Sequence, residues 1–202
     1  GPEAQPRPKL DGSQPSIPEI RDQLWAVSQA DFTNVFDVNV TGTYYTVVAF
    51  LPLLDAANKK HTASDPQTVL PPQAQVVITS SVAGYARILP YSFAYSVSKA
   101  AIVHLVKMLS TVFAPYGIRA NGITPGLYQS DMAAPIFERY GIQGTGTSDG
   151  SVPRELIPAA RAGREEDLGG LILWLASTAG AYINGTIIIS DGGLLSGLPA
   201  SY

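Results

Sequence analysis

The stretch QVVITSSVAGYARILPYSFAYSVSKAAIVHLVKM, residues 75–108, decides the fold of this chain. Its β-branched run at residues 76–78 is typical of a strand that is covered on both faces. The run ends in three hydroxyl residues, and a loop then leads to an apolar helix that begins near Tyr95. A strand, a loop and a helix in this order indicate an α/β fold, in which ligands bind at the carboxyl ends of parallel strands.

Tyr95 and Lys99 are four residues apart, so a helix places both side chains on one face, with about 5–6 Å between their Cβ atoms. A free phenol has a pKa of about 10 and is a poor acid or base at neutral pH. An ammonium group on the same face can stabilise the phenolate and lower this pKa. Ser81, at the end of the strand, could then hydrogen-bond the substrate oxygen that Tyr95 protonates. The Tyr-x-x-x-Lys spacing also arises by chance, and the preceding Ser80-Ser81 pair makes the functional interpretation stronger.

Five short motifs, in this order along the chain, resemble those of the short-chain dehydrogenase/reductase family. They are DVNVTG (37–42), ITSSVAG (78–84), YSVSKAA (95–101), IRANGITPG (118–126) and ISDGG (189–193). The resemblance implies an α/β fold with a Rossmann-like, doubly wound parallel sheet. The whole sequence, 1–202, would form one partial domain that contains only the second half of this fold.

The resemblance also implies an NAD(P)-dependent oxidoreductase that interconverts a carbonyl and a secondary alcohol of a small-molecule substrate. Tyr95 would be the proton donor or base, Lys99 would lower its pKa and hold the nicotinamide ribose, and Ser81 would orient the substrate. Asn39 would belong to the same proton relay. Besides Tyr95 and Lys99, the implied cofactor contacts are Pro125, Gly126, Tyr128 and Ser130.

Some of these assignments have alternatives. Asn39 could instead stabilise a helix kink, and Ser80 is the second candidate for the role of the serine. Tyr128 stands where the family commonly has an aliphatic residue, and Ser130 where it often has Thr, so the nicotinamide pocket is expected to be slightly unusual. For the chain as a whole, the alternatives are a non-redox isomerase or lyase that uses Tyr95 as acid or base, and an interaction protein without activity.

The family's glycine-rich dinucleotide fingerprint is absent from this sequence, and so is the residue that would choose between NAD and NADP. Three explanations stay open: a first half that is disordered or cleaved, a partner chain that completes the fold, or a true truncation. The GIQGTG segment (141–146) superficially resembles a phosphate-binding loop. That motif needs a preceding strand and a following helix, so a flap over the substrate site is the favoured interpretation.

Composition narrows the class of protein. The 202 residues suffice for one domain with a sizeable core, and the net charge of -3 argues against a general nucleic-acid binder. The chain has no cysteine and only two histidines, so no metal site is predicted. No apolar run looks long enough to span a bilayer, and a cytoplasmic protein is therefore expected.

Periodicity and turn residues predict the remaining elements. Residues 1–18, with five prolines, predict a loop, and residues 20–60 predict a helix with caps at Ser28 and Asp31 and a kink at Pro52. The wide apolar faces of helices 31–58 and 94–112 predict subunit packing, and the family resemblance implies a homodimer or homotetramer formed through these helices. Further along, the sequence predicts a strand at 118–124, a flexible substrate-loop region at 133–162, a helix at 163–177 and a strand at 183–190.

Overall fold

The structure, a computed structural model, describes residues 12–60, 71–87, 92–131 and 133–201. Within these residues, three parallel strands form one sheet in the order β1 (Gln75–Thr79), β2 (Arg119–Pro125) and β3 (Ile187–Ser190). In register, Gln75 pairs with Arg119 at the start of the β1–β2 ladder, and Pro125 pairs with Ser190 at the end of the β2–β3 ladder. The parallel sheet with its helices confirms the predicted fold class, and the described residues form part of that fold.

Helices precede and connect the strands. The α-helices of the described residues are α1 (Ile17–Trp25), α2 (Gln29–Phe36), α3 (Gly42–Lys59), α4 (Phe93–Phe113), α5 (Ala134–Arg139) and α6 (Glu165–Ala176). A π-helical turn, Asp37–Thr41, joins α2 to α3. Short 3₁₀ turns lie at Val82–Gly84, Ala114–Tyr116, Thr178–Gly180 and Leu194–Gly197.

The central strand β2 is buried because it has a neighbour on each side and helix α4 against it. Ala120 is 0% exposed and Ile123 is 2% exposed. The main core cluster joins the sheet to α3 and α4, and its buried members are Val47, Ile78, Ile102, Val106, Leu109, Phe113, Ile118 and Ala120. Burial of this apolar surface fixes α4, and with it Tyr95 and Lys99, against the carboxyl half of the sheet.

The prediction of one helix over residues 20–60 is wrong in its first part. Three helical segments cover this range, and the chain leaves the helical conformation between α1 and α2. Ser28 causes the new start, because its Oγ accepts a hydrogen bond from the Asp31 backbone N–H at 3.0 Å. Helix α1 already begins at Ile17, so the predicted loop ends at residue 16, and residues 1–11 of that loop lie outside the described residues. Helix α3 continues through Pro52.

The last strand is shorter than predicted, since it begins at Ile187 and not at residue 183. Gly185 has a φ of +75°, which interrupts the extended backbone. The Asn184 side chain takes the place of a strand partner there, because its Oδ1 accepts from the Ala120 N–H at 2.9 Å. The predicted bounds of β1, β2, α4 and α6 agree with the structure to within two residues.

The region 133–162 is irregular with one short helix, as predicted, and it contains its own hydrophobic cluster. The buried members are Leu127, Ala133, Phe137, Ile142, Val152, Ile157 and Ala162. Gly141, Gly144 and Gly146 have positive φ values, so they supply turns in this segment. The segment 141–146 follows α5 and not a strand, so a phosphate-binding loop lacks its required context there. Mobility of the region stays a prediction.

Two described helical stretches are long and apolar enough to cross a bilayer by length and composition alone. They are Gln29–Lys59, with 31 residues, and Phe93–Tyr116, with 24. The expectation that no apolar run reaches this length is therefore wrong. Core helices of soluble proteins meet the same criterion, and Phe93–Tyr116 supplies Ile102 and Val106 to the main core cluster. The cytoplasmic location stays a prediction.

Candidate active site

Ser81 lies two residues after the end of β1, at the carboxyl edge of the sheet, and is 7% exposed. Its backbone is extended, and its Oγ accepts a hydrogen bond from the Ala83 N–H at 3.2 Å, which starts the Val82–Gly84 turn. Gly84 lets this turn approach α4, because a Cβ there would lie 2.9 Å from the backbone nitrogen of Ala100. The local sequence therefore holds Ser81 close to the helix that carries Tyr95.

Tyr95 lies in the first turn of α4, which Ser92 caps by accepting a hydrogen bond from the Tyr95 N–H at 3.2 Å. The Tyr95 side chain shares a hydrogen bond with Ser81. Burial raises the pKa of the Tyr95 hydroxyl above its usual value of 10.0, and the hydrogen bond with Ser81 opposes this rise. The structure thus brings together the serine and the tyrosine that the sequence singled out.

Lys99 lies one turn further along the same face of α4. Its Nζ is 5.6 Å from the centre of the Tyr95 ring and donates to the Thr79 carbonyl at 3.2 Å. Burial lowers the pKa of the Lys99 ammonium. That Lys99 lowers the pKa of Tyr95 stays a prediction. The pKa of Tyr95 is raised, because desolvation of the phenolate is the largest effect, and Ser81 is the group that opposes it.

Ser80, the second candidate for the serine role, has a different partner. Its Oγ donates to the Lys99 carbonyl at 2.8 Å, and the residue is 3% exposed. The Ser80 hydroxyl therefore ties the end of β1 to the backbone of α4. Of these two serines, only Ser81 has a hydroxyl that reaches the Tyr95 side chain. The geometry therefore favours Ser81 for the role of the serine.

Asn39 lies in the middle of the π-helical turn, and a hydroxyl connects it to Tyr95. Its Nδ2 donates to the Ser98 Oγ at 3.0 Å, and the Ser98 Oγ donates to the Tyr95 carbonyl at 2.8 Å. Ser98 is fully buried, and sequence reasoning missed it, although a small hydroxyl residue beside Lys99 was a usable signal. Such π-helical turns recur at functional sites. Here the π-helical turn carries Asn39, whose side chain is linked through Ser98 to Tyr95.

The four other predicted cofactor contacts lie at the end of β2 and in the segment directly after it. Pro125 is the last residue of the strand, and the Gly126 N–H donates to the Ser190 carbonyl at 2.9 Å. Gly126 is required here because a Cβ would lie 2.7 Å from the Cα of Asp191. Ser130 is exposed, and its Oγ accepts from the Ala133 N–H at 3.3 Å.

Tyr128 is held on several sides. Its hydroxyl lies 2.6 Å from the Ser190 Oγ, and its backbone forms a parallel bridge with Gly163. A Cβ at Gly163 would overlap the Tyr128 ring, so glycine is required there. These contacts fix the segment after Gly126, which contains the predicted cofactor contacts Tyr128 and Ser130.

A cavity of about 150 Å³ lies beside this segment, and its lining includes Tyr128, Ser190 and Asp191. Arg161 and Asp167 line another side and form a paired contact, with Nη1–Oδ2 and Nη2–Oδ1 distances of 2.6 and 3.0 Å. The hydrogen bond from Arg161 lowers the pKa of Asp167 to about 2, and the Arg164 N–H adds to this effect. Sequence reasoning missed this pair, which ties the region 133–162 to the start of α6.

Comparison with known proteins agrees with the five motifs. Residues 13–195 match a family model described as enoyl-(acyl carrier protein) reductase. The chain is 40% identical over 190 residues to the short-chain dehydrogenase/reductase PhomF of Diaporthe leptostromiformis, covering 93% of this chain and 60% of the relative. It is 42% identical over 194 residues to the short-chain dehydrogenase/reductase SAT3 of Stachybotrys chartarum, covering 93% of this chain and 70% of that relative.

The fold has close counterparts among solved structures. The RhlG/NADP active-site complex of Pseudomonas aeruginosa superposes with a TM-score of 0.66 at 30% identity, covering 85% of this chain and 60% of that chain. A short-chain type dehydrogenase/reductase from Mycobacterium marinum gives a TM-score of 0.65 at 29% identity, covering 83% and 57%. The chain thus spans about 60% of the length of several proteins that it matches.

Proposed function

This chain belongs to the short-chain dehydrogenase/reductase family, and we propose that it carries the acid–base site of an NAD(P)-dependent oxidoreductase that interconverts a carbonyl and a secondary alcohol. The observation that carries the proposal is the hydrogen bond between Ser81 and Tyr95 at the carboxyl edge of the sheet, with Lys99 on the same helix face. Because the chain spans 60% of the length of PhomF, the activity is proposed for the complete gene product.

In this proposal Tyr95 moves the proton. During reduction its hydroxyl donates a proton to the carbonyl oxygen, and during oxidation its phenolate accepts the proton of the alcohol. The raised pKa keeps Tyr95 protonated at neutral pH, which suits the reductive direction. Ser81 shares a hydrogen bond with the same hydroxyl, so its own hydroxyl can also bind and orient the substrate oxygen.

The residues present fit a nicotinamide cofactor. An ammonium group has three N–H donors, and Lys99 uses one on the Thr79 carbonyl, which leaves two for ribose hydroxyls. The remaining contacts would come from the segment after β2, where Pro125, Gly126, Tyr128 and Ser130 would line the nicotinamide side. When bound, the cofactor supplies or accepts the hydride.

We assign Asn39 to the proton relay as well. Its amide is joined through the Ser98 hydroxyl to the backbone of Tyr95, so it fixes the first turn of α4 relative to the π-helical turn. A residue in this position can also hold the water through which a proton leaves the site. This role would explain why an amide side chain, and not an apolar one, faces α4 here.

The test is the pH dependence of cofactor-dependent turnover in Ser81→Ala. This substitution removes the hydrogen bond that lowers the pKa of Tyr95, so the pKa rises further above 10.0. Alcohol oxidation needs the phenolate, so we expect the rise of the oxidation rate with pH to move to higher pH. At neutral pH we expect kcat to fall by about 10²–10³-fold, the loss typical of one oxyanion donor. Initial rates of NAD(P)H formation between about pH 6 and 10.5, around the usual phenol pKa, give both quantities.

Ser80→Ala is the matched control, because it removes a neighbouring buried hydroxyl whose partner is the Lys99 carbonyl. It should keep the wild-type pH profile. An unchanged profile in Ser81→Ala would contradict the assignment of Ser81. Turnover that continues without any nicotinamide cofactor would instead support the isomerase or lyase alternative.

We also propose that the protein forms a homodimer or homotetramer through helices 31–58 and 94–112. Helices α2 to α4 expose many large apolar side chains, among them Phe32, Val38, Tyr44, Tyr45, Phe50, Leu53, Val97, Met108 and Val112. Apolar surface of this extent marks an interaction site, and a second copy of the chain would cover it with the same helices.

Light scattering tests the assembly with a matched pair of substitutions. Leu53 on α3 is 65% exposed and Leu173 on α6 is 71% exposed. We expect Leu53→Glu to reduce the mass of the complete gene product to that of a monomer, because a carboxylate would be buried in the interface. Leu173→Glu should keep the wild-type mass. A monomeric wild-type protein would contradict the proposal.

A further inference from the structure

The last described residues return to the loop that follows Ser81. After the Leu194–Gly197 turn, residues 198–201 run antiparallel to residues 85–87, with Ala86 opposite Ala200. The Arg87 N–H donates to the Pro199 carbonyl at 2.8 Å, and the Ser201 N–H donates to the Tyr85 carbonyl at 2.9 Å. We call residues 198–201 the strap.

The strap is anchored at its other end on β3. The Asp191 carboxylate, directly after β3, accepts from the Gly193 N–H at 2.9 Å and from the Leu195 N–H at 2.8 Å. Leu195 is 3% exposed, so the turn before the strap is packed into the protein. Strands β3 and β1 lie on opposite sides of β2, about 9–10 Å apart by the usual strand spacing. The strap therefore connects the segment after β3 to the loop that follows β1, at the carboxyl edge of the sheet.

The loop that the strap pairs with connects the serine of the site to its tyrosine. On one side Gly84 fits this loop against α4, and on the other side the strap holds residues 85–87 by backbone hydrogen bonds. We propose that the strap is a specificity element, which fixes the Ser81 side of the substrate pocket and so determines which carbonyl compounds fit. This inference rests on the proposed function.

The test uses Ser201→Pro, which removes the N–H that bonds the Tyr85 carbonyl, and Ser201→Ala, which retains it. With the complete gene product, we would measure kcat and KM for a series of ketones of increasing chain length, together with KM for NADPH and NADH. We expect Ser201→Pro to raise KM for the preferred ketones about tenfold, as a methylene-sized change in a pocket wall does. The cofactor KM and the thermal unfolding midpoint should stay at wild-type values. Ser201→Ala should behave as the wild type does.

Deletion of residues 199–201 is the second variant, since it removes both backbone hydrogen bonds. Wild-type ketone KM values in both variants would overturn the role of the strap. Equal increases in ketone and cofactor KM, or loss of folding in both variants, would also overturn it, because they indicate a general structural role. A wild-type protein without cofactor-dependent turnover would overturn the proposed function and the strap with it, whereas an active wild type with unaffected variants overturns the strap alone.

Discussion

Tyr95→Phe is expected to reduce turnover by about 10²–10⁴-fold, the contribution typical of one positioned acid or base. The substitution removes a single oxygen atom, the one that shares a hydrogen bond with Ser81. Phenylalanine has no group that can donate or accept a proton, so neither the reductive nor the oxidative direction can use it. The loss should therefore appear in kcat in both directions, measured with either NADPH or NADP⁺ and a matched ketone and alcohol.

The fold should tolerate this change. The phenyl ring keeps the packing of the tyrosine ring, and the lost hydrogen bond contributes about 0.5–1.5 kcal/mol to stability. The Ser81 Oγ still accepts from the Ala83 N–H, so it is not left without a partner. Cofactor binding, followed by fluorescence quenching, should remain within a few-fold of the wild type, because Lys99 and its bond to the Thr79 carbonyl are unchanged.

Tyr116→Phe provides the matched control for this experiment. Tyr116 lies at the far end of the helical stretch Phe93–Tyr116, whose first turn contains Tyr95, and is 68% exposed. Its hydroxyl has no role in the proposed site, so turnover should remain at the wild-type value. A Tyr95→Phe protein that is folded and has near-normal kcat would exclude the acid–base assignment. Another group would then have to transfer the proton.

The sequence predicted the parts of this fold that depend on local pattern. The apolar run of β1, the strand pattern of β2 and the apolar face of α4 are signals of the local sequence, so their bounds agree to within two residues. The positions of Ser81 and Tyr95 follow from these elements, because a strand end and a helix start meet at the carboxyl edge of a parallel sheet. Their proximity could therefore be anticipated, whereas their shared hydrogen bond needed the structure.

The features that the sequence did not predict depend on contacts between distant segments. The link from Asn39 to Ser98 spans 59 positions along the chain, and the Tyr128–Ser190 contact spans 62. The direction of the Tyr95 pKa also needed the structure, because it is set by the balance between burial and the surrounding donors. Sequence spacing identified Lys99 as a neighbour, whereas only the geometry shows that its Nζ donates to the Thr79 carbonyl.

Arg119 is the clearest such long-range feature, and it carries the largest expected effect on stability. It begins β2 and is 4% exposed, although its guanidinium group remains charged in proteins. Its donors reach four backbone carbonyls in separate segments, with N–O distances between 3.0 and 3.5 Å: those of Gln73, Leu175, Gly180 and Ile183. One side chain thus joins the entry to β1, the C-terminal end of α6, the turn after it and the entry to β3.

Among the described residues, carbonyl dipoles and not a carboxylate compensate the buried positive charge of Arg119. The Leu175 carbonyl belongs to the last turn of α6, where the helix dipole is negative and favours a cation. Hydrogen bonds to a charged group contribute about 1.5–3 kcal/mol each to stability, and a buried acceptor left without a donor costs about 1–3 kcal/mol. The contributions of neighbouring hydrogen bonds to stability are not additive. The expected loss of stability is therefore closer to that of one such hydrogen bond than to the sum over all of them.

Arg119→Met is therefore expected to lower the free energy of unfolding by about 2–4 kcal/mol, because the buried carbonyls lose a charged donor while the volume stays similar. Urea unfolding of the complete gene product gives this difference as a shift of the midpoint at constant slope. Arg154→Met is the matched control, since Arg154 is exposed and donates to the Pro158 carbonyl at 3.0 Å; its effect should lie within about 0.5 kcal/mol. Equal midpoints for the two variants would show that the guanidinium group does not hold these four segments together, and that packing of the main core cluster suffices to join β3 and α6 to the sheet.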